Sequence, residues 1–146
     1  MASQFTFLDD VALADAAFDA GGDSPDELFV AAAMAVIETL ADPATVAAVW
    51  HREIRLQAPD LASLLFDWLS EIVYLKDAEA GVFRNATAVV SEDRPHGGWQ
   101  VRGTLSGEAI DPSRHALRAD VKAVTKHLYQ VRQDDGRWTA RVVLDI

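Results

Sequence analysis

The stretch "ADVKAVTKHLYQVRQDDGRWTARVVLDI", residues 119–146, decides the fold. Two runs rich in Val, Thr and aromatic residues flank Asp134-Asp135-Gly136. Asp-Gly between such runs is a strong hairpin signal, because a tight two-residue turn needs positive φ at both central positions. The two runs are therefore expected to pair antiparallel. The second stays apolar up to "VVLDI", residues 142–146. Chain ends fray unless something holds them, so the closing run is expected to be a paired strand of the sheet.

A second hairpin precedes it. "VFRNATAVVSE" and "WQVRGTLSGE" flank the turn-rich "DRPHGG", residues 93–98. Between the two hairpins, "AIDPSRHALRAD" reads as a long loop containing a proline. In the first half, residues 5–8 and 15–20 read as strands, the second ended by Gly21-Gly22. "SPDELFVAAAMAVIETLAD" follows, with Ser24 as N-cap, Pro25 at the first helical position and Glu27 completing a capping box. Leu28, Ala32, Val36 and Leu40 recur at helical spacing. Residues 46–58 alternate from Trp50 as a strand does. Asp60 caps a second helix whose apolar stripe is Leu61, Leu64, Leu65, Trp68, Leu69, Ile72 and Val73, ending near Lys76. The order is ββ-α-β-α-ββ-ββ. This is an α+β class: a largely antiparallel sheet with two helices packed on one face, a two-layer sandwich. No linker divides residues 1–146, which are expected to form one domain.

Charge and composition narrow the function. With 13 basic and 23 acidic residues, the formal charge is −10. Such a surface repels phosphate backbones, so direct nucleic-acid binding is not expected. No cysteine is present, which removes disulfides, thiol nucleophiles and zinc–thiolate sites. The start has no positively charged region before an apolar run, and no long uncharged apolar stretch exists. No membrane association is expected, and the cytoplasm is the expected compartment. Phosphate-loop, dinucleotide and nucleophile-elbow glycine motifs are all missing. His51, His96, His115 and His127 share no metal-ligand spacing and read as structural or solvated.

Three residues stand apart. Asp145 sits on the last strand, next to Ile146 with its main-chain carboxylate. Adjacent carboxylates on a rigid strand suit a hard divalent cation, although an ordinary exposed aspartate fits as well. Lys122 lies between Val121 and Ala123 in a strand reading, and Asp15 lies among alanines. Each is compatible with a plain solvated residue.

The segments "DVKAVTKH…GRWTARVVLDI", "LLFDWLSEIVYLKD" and Ala14-Asp15 followed by "SPDELFVAAAMAV" together resemble the archease family over nearly the whole chain. The resemblance implies an accessory protein and not an enzyme. It would activate the GTP-dependent RNA-splicing ligase of tRNA splicing and RNA repair by promoting guanylation of that ligase. It implies a partner protein, the ligase, and a divalent ion, Ca²⁺ or Mg²⁺. Carried over by position, the metal ligands would be Asp15, Asp145 and the terminal carboxylate of Ile146, with Lys122 also needed for activation. This chain has Ala12-Leu13 where the family has His-Thr, and Asp9 or Asp10 compete with Asp15 as the N-terminal ligand. A small metal-dependent phosphoesterase and a general chaperone-like scaffold are the alternative readings.

Overall fold

The computed structural model describes residues 3–8 and 15–146. Its elements are β1 (Gln4–Leu8), β2 (Asp15–Gly22), α1 (Pro25–Leu40), β3 (Trp50–Ala58), α2 (Leu61–Ala78), β4 (Gly81–Glu92), β5 (Trp99–Ala109), β6 (Ala123–Asp134) and β7 (Arg137–Asp145). The element order and the α+β class are those expected from the sequence. The strands divide between two antiparallel sheets, ordered β1-β2-β7-β6 and β3-β5-β4. Each sheet turns one face to the helices and the other outward. Both hairpins form, and Asp135 (φ 51°) with Gly136 (φ 79°) makes the β6–β7 turn through two left-handed residues.

Helix α1 begins where its capping residues stand. Ser24 Oγ accepts a hydrogen bond from Glu27 N at 3.2 Å. Glu27 Oε1 reaches back past the cap to accept from Asp23 N at 2.7 Å. Leu28, Phe29, Ala32, Ala33, Val36 and Ile37 are all buried, so the helix is covered on more than one side. It touches β1, β2 and β7 of one sheet and β4 of the other. Its alanines let both sheets come close.

Helix α2 starts at Asp60, whose carboxylate accepts from Ser63 N at 2.7 Å. Its stripe packs on β3, β4, β5 and β6. Trp68 is fully buried and donates Nε1–H to Phe29 O at 3.1 Å, tying the two helices together. Burying an aromatic of this size contributes roughly 1.5–3 kcal/mol. Gly103 makes room for it: a Cβ there would stand 2.7 Å from the Trp68 ring. Among the described residues no helix is long and apolar enough to cross a membrane.

Candidate functional site

On β2, Asp15, Ala17 and Asp19 lie on the face opposite to Phe18 and Ala20, which enter the core. Phe18 pairs with Val142 and Ala16 with Leu144, so the core contacts fix the β2–β7 register. That register sets Asp15 directly opposite Asp145 and Asp19 directly opposite Arg141. The two outward aspartates of β2 then differ in chemistry. Asp19 accepts a two-point bond from Arg141, 2.8 Å from Nε and 2.9 Å from the terminal nitrogen. Asp15 faces another carboxylate. Among the described residues neither Asp15 nor Asp145 has a side-chain hydrogen bond or ion pair, and both are half-buried.

The third strand brings Lys122. In the order β2-β7-β6, Asp145 stands between Asp15 and Ala123, its partner on β6. Lys122 precedes Ala123 and donates its main-chain N–H to Asp145 O at 2.8 Å. Lys122, expected inside a strand, stands one residue before β6. The preceding segment is held elsewhere, with Arg118 N and Ala119 N donating to Leu40 O and Thr39 O at the end of α1. Ile146 packs partly buried against the core. Asp15, Lys122, Asp145 and Ile146, drawn from three separate segments, thus meet at one end of the four-stranded sheet. Asp9 and Asp10 lie outside the described residues.

Side-chain oxygens on opposed strands, uncommitted to protein donors, suit a hard, oxygen-preferring cation. Among the described residues no three His, Cys, Asp or Glu side chains group closely enough to hold one. A cation held by Asp15 and Asp145 would need a third oxygen donor beside them. The donor chemistry fits the ion that the resemblance implies.

Two buried charged clusters bind neighbouring segments together, one around Lys76, expected only as a helix end, and one around His115, expected to be structural or solvated. Lys76 is buried near the end of α2, and its Nζ donates to Asp120 Oδ1 at 2.6 Å and to Val121 O at 2.7 Å, pinning the entry to β6. Burial pushes the Lys76 ammonium down, but its bonds to Asp120 and Asp77 outweigh this and hold it above the usual lysine value. Its spacing of four from Ile72, continuing the α2 stripe, was the available signal. The second cluster centres on Glu108 at the end of β5. Its carboxylate accepts from Arg114 at 2.6 and 2.8 Å, from Ala47 N at 2.6 Å, and bonds His115 Nε2 at 2.9 Å. Arg114 above all, then Ala47 N and His115, hold this carboxyl far below the usual range. His115 Nδ1 accepts from Asp111 N at 2.9 Å, so Nε2 carries the proton and donates to Glu108. His115 is structural; His51, His96 and His127 are exposed.

Residues 5–146 match the archease protein family. The chain belongs to the archease family. A protein archease of Methanopyrus kandleri is 40% identical over 133 residues, covering 91% of this chain and 94% of that one. One from Methanothermobacter thermautotrophicus is 37% identical, covering 97% and 98%. Among solved structures, protein 1598 of Methanobacterium thermoautotrophicum superposes with TM-score 0.81 at 37% identity, over 97% of this chain and 98% of that one. A Thermotoga maritima protein described as an archease and possible chaperone superposes with TM-score 0.65 at 18% identity, over 92% and 93%, which is a likeness of fold. The archease resemblance read from the C-terminal hairpin, the α2 segment and the N-terminal segment is thus a family membership.

Proposed function

We propose that this archease-family protein is an accessory factor that activates a GTP-dependent RNA-splicing ligase by speeding its guanylation. The observation that carries the reading is the meeting of Asp15, Asp145 and Lys122 at one sheet end, with no side-chain partners of their own among the described residues. A structural aspartate is normally committed, as Asp19 is to Arg141. Uncommitted carboxylates directly opposite each other cost stability, which favours a role outside folding.

Asp15, Asp145 and the Ile146 carboxyl group would hold a Ca²⁺ or Mg²⁺ ion, whose positive charge neutralises opposed carboxylates and attracts phosphate oxygens. Lys122, whose side chain lines a concavity with Ser70, Tyr74 and Asp77 of α2, supplies a compact, mobile cation at the same sheet end. The net charge of −10 favours approach to a positively charged cleft in the partner over contact with RNA. The work of this chain's residues is to dock and to orient; the chemistry belongs to the ligase.

The test is formation of the ligase–GMP adduct from radiolabelled GTP, with and without this protein. Wild type should raise the rate, and folded Asp145→Ala should not. Stimulation by Asp145→Ala equal to wild type would overturn the reading, as would phosphate-ester hydrolysis by the protein alone.

A further inference from the structure

The outward face of the β3-β5-β4 sheet carries a second feature, remote in topology from the aspartates. Its register sets Arg55 of β3 directly opposite Arg102 of β5. One row along, Gln57 stands opposite Gln100, which stands opposite Ser91 of β4. All five side chains are exposed. They line a concavity of about 510 Å³ to which no acidic residue contributes among the described residues. That is unexpected on a chain with 23 acidic residues against 13 basic ones.

Directly opposed like charges on a sheet are destabilising, and their Cβ atoms lie only about 4.5–5.5 Å apart. Arg55 is partly compensated, since its Nε donates to Glu53 at 2.7 Å. Among the described residues the Arg102 guanidinium has no hydrogen-bond or ion-pair partner.

We propose that this concavity binds a single phosphate group, the Arg55 and Arg102 guanidiniums gripping its oxygens and the Gln57 and Gln100 amides donating from the next row. One arginine fork already satisfies the two oxygens of a carboxylate. Two forks and two amides match the larger oxygen set of a phosphate. A polyanion such as RNA feels the whole field of the −10 chain. A lone phosphate is held by contacts well inside the screening length of about 8 Å. The source is either free phosphate or a small phosphomonoester.

The test is an NMR titration of the full chain at constant ionic strength with inorganic phosphate, glycerol phosphate and acetate. Phosphate should give saturable shifts confined to residues 53–57, 89–91 and 100–102, with acetate at least about tenfold weaker, about 1.4 kcal/mol. Tighter binding of the ester or of the free ion identifies the source. Arg102→Gln should weaken phosphate binding at least tenfold yet melt no lower than wild type without phosphate, because a repulsion has been relieved. Glu53→Gln, which frees Arg55, should bind at least as tightly as wild type. The proposal fails if no saturable shift appears by about 10 mM phosphate, if acetate binds equally, or if Arg102→Gln binds as wild type does.

Discussion

Asp15 and Asp145, 130 residues apart in sequence, are directly opposed partners on β2 and β7, both turned to the outer face of the four-stranded sheet. Opposed like charges destabilise such a pair by roughly 0.2–1 kcal/mol. Asp15→Asn should therefore raise stability by a few tenths of a kcal/mol in chelator, read from urea unfolding. A cation that bridges the pair reverses the sign: Ca²⁺ or Mg²⁺ should raise the wild-type melting temperature and leave Asp15→Asn unmoved. Equal cation responses in the two proteins would remove Asp15 from any metal site.

Glu108 predicts a pH dependence. Its carboxyl is held below the ordinary value of 4.5 in the folded chain, by Arg114 first and then Ala47 N and His115. A depressed carboxyl stabilises the fold above its unfolded value, and that contribution is lost as pH falls through the folded one. Stability should thus decline as pH drops below about 4.5, and Glu108→Gln should flatten that decline. Hydrogen exchange at residues 111–117 should report the loosening first, because Glu108 is what ties Arg114 and His115 to β5. A wild-type acid limb retained in Glu108→Gln would place the acid sensitivity elsewhere.

Gly103 tests the packing under the same sheet. A Cβ there would collide with Thr87 O, a backbone atom, and stand 2.7 Å from the Trp68 ring, so one of them must shift. Gly103→Ala should cost about 1–3 kcal/mol through forced repacking. Trp68 fluorescence should shift with it. A mutant as stable as wild type would mean that the Trp68 ring can move off the sheet.

Local signals made the elements legible. Ser24, Pro25 and Asp60 fixed the helix starts, and Asp135-Gly136 fixed the last hairpin, because caps and turns act over a few residues. The division into two sheets was not legible. It depends on β7 pairing with β2, and no turn connects those strands. The candidate site was suggested only through family likeness, since the opposition of Asp15 to Asp145 is a register fact across most of the chain. Lys76 hid because a lysine at the polar end of a helix reads as solvated. The nearby Asp77, Asp120 and Val121 make it a buried anchor.

Lys122 gives the sharpest separation of folding from function. Its bond to Asp145 O comes from the main chain, so Lys122→Ala keeps it. The side chain is exposed and has no partner among the described residues. Surface substitutions of that kind change stability by no more than about 0.5 kcal/mol. Lys122→Ala should accordingly unfold at the wild-type urea midpoint and still co-purify with the ligase, while ligase–GMP formation slows. Lys122→Arg keeps the charge but spreads it over a planar fork, so it should restore only part of the rate. A slow Lys122→Ala with normal stability and normal pull-down assigns Lys122 to the activation step. Wild-type rates in Lys122→Ala would leave the aspartates as the only functional side chains of the sheet end and overturn the proposed role of its ammonium group.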